Sequence, residues 1–138
     1  MPDPDFPDTN ILVYAYDPSD RQKQRIAREL VRKATDGEST ISTQVLAEFA
    51  ATVLHKMKPA PRAEDMAAVL DALAAIPIVR PDAEMVRRAV EAHALYGVHF
   101  YDGMIVAAAE RAHCPRIWSE DLNAGQAHFG STVENPFL

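Results

Sequence analysis

Cysteine occurs once in the 138-residue chain, at Cys114. No intramolecular disulfide can form, and the composition suits a reducing compartment. No CxxC or HxxxH spacing is present, so a structural zinc framework is not expected. The five histidines are scattered (His55, His93, His99, His113, His128), and each is expected as a surface or capping residue rather than a ligand. A serine-hydrolase elbow, GxSxG, is missing. No apolar run approaches the roughly 20 residues that span a bilayer. The opening MPDPDFPDTN has neither the basic nor the apolar segment of a signal peptide. A soluble, cytoplasmic protein with no membrane contact is expected. Excess positive charge is lacking too. The net charge is −6, which weighs against a nucleic-acid coat protein of the usual basic kind.

What is present reads as one domain over residues 1–138, without internal repeat, low-complexity tract or long linker. Hydrophobic residues make up 48 % of the chain, enough to close a single core. Phe6 to Asp8 is a candidate first strand. The apolar run Ile11 to Tyr16 fits either a strand or a short helix. Ser19 or Asp20 can cap a helix to about Thr35, stopped by Asp36-Gly37. Ser39 to Ser42 reads as a short strand. Ser42 or Thr43 caps a helix to about Met57, with Val45, Leu46, Phe49, Val53 and Leu54 on its core face. Lys58-Pro59-Ala60-Pro61 marks a turn, and a helix from about Arg62 to Ala75 follows. After the strand Ile78-Val79, Asp82 caps a helix ending at Gly97, and another helix runs from about Tyr101 to His113. Ile117 to Ser119 and Thr132-Val133 are the last strands. Short apolar strands alternating with helices predict an α/β domain whose mostly parallel central sheet is flanked by helices. Such sheets bind ligands at the carboxyl ends of their strands.

Four acidic residues fall where that topology brings them together. Asp8 follows the first strand, Asp121 lies just past Ile117-Trp118-Ser119, and Asp102 opens an apolar helix. Glu48 sits mid-helix, about 60° around the axis from Val45 and so at the border of the buried arc. Singly, each has an ordinary explanation as a cap, a turn or a solvated helix residue. Jointly, they make a chemical constellation. Clustered carboxylates repel and raise one another's pKa values unless cations fill the site. Hard oxygen donors suit Mg²⁺, or Mn²⁺ in its place. Such ions activate water and stabilise the leaving oxygen of a phosphodiester.

The same segments carry a family resemblance. Asp8-Thr9-Asn10 followed by Ile11-Leu12-Val13-Tyr14 resembles the opening signature of PIN domains. Gln44-Val45-Leu46-Ala47-Glu48-Phe49 is similar to the segment holding their second acid, and Phe100 to Ala109, with Asp102, to the third. Ser119-Glu120-Asp121-Leu122 resembles their final polar-x-Asp element, and Val133 to Phe137 the last strand of VapC-like members. The resemblance implies a metal site built from Asp8, Glu48, Asp102 and Asp121, supported by Asn10 and Ser119, with Glu120 competing with Asp121 for the fourth place. It also implies endoribonuclease activity on RNA, a homodimer and a cognate antitoxin protein. Other functions with the same resemblance are an RNA-maturation nuclease and a catalytically dead RNA- or protein-binding module. A haloacid dehalogenase or receiver phosphotransfer site would need an apolar strand before Asp3-Pro4-Asp5, and there is none. One departure is Asp5-Phe6-Pro7-Asp8, where Pro7 confines the first strand to an edge, a start or a bulge.

Two further features bear on partners. Arg21, Arg25, Arg28 and Arg32 recur at helical spacing and form one stripe, either a solvated outer face or a phosphate track with Arg25 and Arg28 as RNA contacts. The helices at 62–75 and 82–96 carry Met66, Val69, Leu70, Leu73, Met85 and Val86, which serve either their own core or a homodimer interface.

Overall fold

The computed structural model describes residues 3–138. Its central strands are very short: β1 (Phe6–Pro7), β2 (Ile41–Ser42), β3 (Ile78–Val79), β4 (Arg116–Trp118), β5 (Ala127–His128) and β6 (Ser131–Glu134). Four of them pair in the order β1-β4-β6-β5, and β2 pairs with β3. A single parallel bridge between Asp5 and Ser39 joins the two groups. The result is a mostly parallel sheet in which β5 alone runs antiparallel, against β6. This is the α/β architecture expected from the alternation of strands and helices.

Pro7 therefore lies in the edge strand of the four-stranded sheet, one of the places to which a strand proline is confined. Asp5 bonds towards the β2 side, through Glu38 O and Thr40 N, and Asp8 N donates to Trp118 O on the β4 side. Successive residues of a strand face opposite neighbours, so Pro7 turns its missing N–H towards the β2 side, where pairing is limited to the Asp5 bridge. Proline is tolerated there because no ladder bond is lost.

The helices are α1 (Thr9–Tyr16), α2 (Arg21–Lys33), α3 (Thr43–Lys56), α4 (Ala63–Leu73), α5 (Ala83–Tyr96) and α6 (Phe100–Arg111). The ambiguous run Ile11 to Tyr16 is thus helical, and Asp8 caps it by accepting from Thr9 N at 2.7 Å. Asp20, Ser42 and Asp82 cap α2, α3 and α5 through the N3 amide, as such residues do. α2 runs into a wide turn, Ala34–Glu38, closed by Gly37 at φ 93°. Among the described residues, no helix is long and apolar enough to cross a membrane.

Two features were hidden in the sequence. The β5–β6 hairpin turns on Phe129 and Gly130, with φ 47° and 87°, a loop of the type I′ kind that asparagine-glycine usually announces. Phenylalanine is held there by tertiary contacts: its amide donates to Tyr96 Oη at 3.0 Å and the Arg88 guanidinium lies 3.5 Å over its ring. His128 corrects the expectation of surface histidines. It is fully buried, edge-on to Tyr96 at 4.6 Å, and burial holds its imidazole below the ordinary value.

One core runs from Phe6 to Val133. Met66, Leu73 and Met85 belong to it, so these three do not serve a dimer surface. α6 is its axis: every residue from Gly103 to Ala109 is buried, the mark of a helix enclosed on all sides. Its small residues let α5 approach closely. A Cβ added at Gly103 would stand 2.6 Å from the carbonyl oxygen of Ala89. Gly103→Ala thus reverses the usual sign of a helical glycine substitution. Alanine ordinarily gains about 1 kcal/mol in a helix, whereas overpacking against backbone costs about 1–3 kcal/mol. Urea denaturation should show a lower midpoint for the variant, and an unchanged or higher midpoint would refute the close packing of α5 on α6.

Candidate active site

Parallel pairing delivers the first two groups of the site. β1 and β4 are in register at Phe6–Ile117 and Pro7–Trp118, so Asp8 and Ser119 leave the sheet side by side. Ser119 Oγ donates to Asp8 Oδ2 at 2.8 Å and accepts from the amides of Asp121 and Leu122, both at 3.2 Å. One buried hydroxyl therefore orients the Asp8 carboxylate and bends the chain that presents Asp121.

The other groups arrive from helices. Glu48 comes from the partly buried border of α3, where Gln44 Nε2 donates to its Oε1 at 2.9 Å and Thr9 Oγ1 at 3.4 Å. Gln44 also donates to Tyr101 O at 3.1 Å, tying α3 to the first turn of α6, which carries Asp102. Asp121 is exposed and accepts from Asn10 Nδ2 at 3.1 Å. All four carboxylates, with Asn10, line one cleft of about 370 Å³ at the carboxyl end of β1 and β4. Ser119 stands behind Asp8 rather than in the wall.

Glu120 also reaches this cleft, but it is already engaged. Its oxygens take Tyr14 Oη at 2.6 Å and Lys23 Nζ at 2.6 Å. Burial alone would raise its carboxyl, yet Lys23 and Tyr14 hold it below the usual range. That pairing favours Asp121 over Glu120 as the fourth open carboxylate. Arg25 and Arg28 are not brought into the wall. Arg28 Nε donates to Ala15 O at 2.9 Å, and Arg25 faces grooves on the outer side of α2. The residues that composition and motifs left unnoticed are Gln44, Tyr14, Lys23 and Lys56. Only the Gln44–Glu48 pair had a local signal, its spacing of one helical turn.

Charge crowding shows in the acids themselves. Burial pushes the Asp8 carboxyl up to about 7, against the Ser119 and Thr9 hydrogen bonds, and Asp102 and Asp121 push the same way. Burial likewise raises Asp102, with Asp121 and Glu48 adding to it and His99 opposing. Asn10 Oδ1 is buried without a hydrogen-bond partner. Among the described residues, no three acidic, imidazole or thiol side chains converge tightly enough to form a ready-made first coordination shell. The carboxylates ring the cleft instead of meeting at a point. Such a ring of hard oxygen donors fits a small cation that keeps several of its waters, as Mg²⁺ does.

A family model for the PIN domain matches residues 6–129. The chain belongs to the PIN domain family. No curated protein sequence matches it significantly. Among solved structures, this PIN domain is similar to a chain of a toxin–antitoxin complex from Klebsiella pneumoniae, with 18 % identity, 95 % of this chain and 96 % of that one covered, and a TM-score of 0.70. It is also similar to VapC20 of Mycobacterium tuberculosis, described as a sarcin-ricin loop cleaving toxin, at 17 % identity, 85 % and 91 % coverage and a TM-score of 0.67. A DNA-bound VapBC structure from Salmonella typhimurium gives 19 % identity, 96 % and 98 % coverage and a TM-score of 0.67. At these identities the likeness is one of fold.

The raised Asp8 predicts a specific pH dependence. Its carboxyl is held at about 7 in the fold against an ordinary 3.8, so the folded state binds the extra proton between those values. The stability this proton supports is present below about 4 and is lost as pH rises through 7. In metal-free buffer, Asp8→Asn should therefore melt higher than the wild type at pH 8, by several degrees, with the gap narrowing at pH 5 and closing only below about 4; one kcal/mol moves the midpoint by about 3–5 °C at this length. Added Mg²⁺ at pH 8 should raise the wild-type midpoint and leave Asp8→Asn unmoved. Parallel melting curves of the two proteins across this pH range would contradict the burial cost assigned to Asp8.

Proposed function

We propose that this PIN domain is a metal-dependent endoribonuclease, acting in the cytoplasm as the toxin of a toxin–antitoxin pair and held inactive by a cognate antitoxin protein. The observation that carries the reading is that Asp8, Glu48, Asp102 and Asp121, from four separate elements, line one cleft at the sheet's carboxyl edge. The structural likeness to toxin–antitoxin complexes supports the biological role, and the sarcin-ricin loop cleaved by one neighbour supports RNA as the substrate class.

Asp8, Asp102, Asp121 and Glu48 would hold Mg²⁺ or Mn²⁺, which when bound supplies an acidified water and charge neutralisation at the scissile phosphate. The protein's own part is positional. Ser119 keeps the buried Asp8 pointed at the cleft. Asn10 holds Asp121 through its side-chain amide. Gln44 sets Glu48 relative to Asp102 by touching both elements. Partial protonation of Asp8 near neutral pH lessens the mutual repulsion of the carboxylates while no cation is bound. Cleavage of a mixed-sequence RNA should require Mg²⁺ or Mn²⁺ and stop with EDTA. Asp102→Asn should lower the rate by about a hundredfold or more, the scale of a lost electrostatic catalytic group, with the circular dichroism spectrum unchanged. Undiminished cleavage in EDTA, or in Asp102→Asn, would overturn the carboxylate assignment.

A homodimer belongs to the same proposal. Val86 and Val90 stand one turn apart on α5, 44 % and 53 % exposed, with Leu95 67 % exposed further along. Val86 and Val90 make a short apolar row on one face of α5, from which Leu95 is turned away at about 100° per residue, and closed twofold pairing is the commonest way to cover such a row. Light scattering at micromolar concentration should give twice the chain mass, falling to one chain in Val86→Arg/Val90→Arg. A single-chain mass for the wild type would refute it.

A further inference from the structure

We propose that the groove beside the carboxylate cleft, walled by Arg21, Lys56 and Lys58, is the track along which a single RNA strand leaves the site. The inference rests on the nuclease reading above and adds the path of the substrate to it. A phosphodiester placed against four carboxylates meets repulsion there, so affinity for a polyanion must come from phosphates outside the cleft. The cations suited to that task are those next to the cleft and not committed elsewhere.

The groove meets both conditions. It has a volume of about 570 Å³ and adjoins the carboxylate cleft, with Lys56 lining both, whereas the groove of Arg25 and Arg28 touches it only through Arg21 and shares no residue with the cleft. Arg21 comes from the first turn of α2, Lys56 ends α3, and Lys58 follows it. All three are exposed, and among the described residues none of them forms an ion pair. One acid, Asp17, faces them, and its Oδ1 already accepts from Ser19 N at 2.9 Å. Tyr16 contributes an aromatic wall. A positive groove with an aromatic surface is the arrangement that holds single strands without reading sequence.

Other cations are less suited. Lys23 reaches the edge of the cleft but is paired with Glu120 at 2.6 Å. Arg32 is held by Glu29 and Asp36, and Arg28 by Ala15 O. Arg25 lines grooves that share no residue with the cleft. The arginine stripe of α2 is thus, beyond Arg21, an outer face.

The test compares two double variants, Arg21→Ala/Lys58→Ala and Arg25→Ala/Arg28→Ala, binding a fluorescent single-stranded 12-nucleotide RNA in EDTA over a salt series. Each lost phosphate contact removes about 0.7 from the slope of log affinity against log salt. The first variant should lose about 1.4 units of slope and bind roughly ten- to thirtyfold more weakly at 0.1 M salt; the second should match the wild type. Arg21→Lys/Lys58→Arg, which keeps both charges, should retain the wild-type slope. With Mg²⁺, a dinucleotide too short to leave the cleft should be cleaved by Arg21→Ala/Lys58→Ala at the wild-type kcat/KM, while the 12-nucleotide RNA suffers in KM. An unchanged salt slope in Arg21→Ala/Lys58→Ala overturns the track, as does loss confined to Arg25→Ala/Arg28→Ala. Equal loss of dinucleotide cleavage overturns it too, by placing the two cations in the chemistry. Protection of Lys58 from acetylation by an acidic peptide but not by RNA overturns it in favour of a protein partner. Failure of the nuclease reading is distinguishable, because wild-type protein would then cleave neither RNA whatever the salt slopes show.

Discussion

A hydroxyl with no exposed surface, Ser119, links the end of β4 to the end of β1 by its 2.8 Å bond to Asp8. Two parallel strands of two and three residues are poor anchors by themselves. What makes their ends reliable is that the backbone continues the pairing one step further, from Asp8 N to Trp118 O at 2.8 Å, before the side chains take over. Asp8 then caps α1 and Ser119 caps the turn that carries Asp121. The first and last acids of the chain, separated by most of its length, are placed by one local junction. Removing the Ser119 hydroxyl would leave a buried carboxylate short of a donor, a larger cost than the loss of an average hydrogen bond.

Around that junction the protein is arranged to tolerate a site that disfavours itself. A buried carboxyl raised to about 7, beside Asp102 and Asp121, is an unfavourable thing to fold. The compensation lies in the layer beneath. α6 is buried along seven successive residues, and α5 is locked to it by the close approach at Gly103 and by the two-pronged Arg88–Glu110 pair, with both bonds at 2.9 Å. Asp102 sits next to Gly103, so a close backbone approach in the helix pair lies beside an acid of the cleft. Crowded carboxylates and close packing thus stand in adjacent residues, the second offsetting the cost of the first.

The charge distribution follows the same logic. The chain is acidic overall, and the cleft is acidic too, yet a proposed substrate of the same sign has somewhere to go. The cations that adjoin the cleft divide into two kinds. Lys23 is neutralised against Glu120 and restrains Tyr14, leaving Asp121 as the open carboxylate on that edge. Lys56 is unpaired among the described residues and leads outward. Net charge is a poor guide here because the effect of each cation depends on its neighbour.

Local chemistry determined much of this protein. Caps at Asp20, Ser42 and Asp82, the 3.6-residue periods of the helices and the strand-end positions of Asp8 and Asp121 are properties of short segments, readable because hydrogen bonding and side-chain direction repeat over a few residues. Glu48 was legible for the same reason, as a border position on a periodic helix. The tertiary structure alone decided the rest. Whether Ile11 to Tyr16 would be strand or helix turned on the burial of Ile11 and Leu12 in the core formed by the rest of the chain. The proline of β1 was acceptable because the strand is an edge of its sheet and the Asp5–Ser39 bridge on its open side precedes Pro7. Phe129 reached φ 47° through Tyr96 and Arg88, residues more than thirty positions away. Met66, Leu73 and Met85 looked equally suited to a core or an interface, since burial by one's own chain and by another satisfies the same hydrophobic term. Arg21 and Arg25 are alike in sequence and differ only in what stands across from them. Contacts between distant segments carry no periodic signature, so they had to be seen in three dimensions.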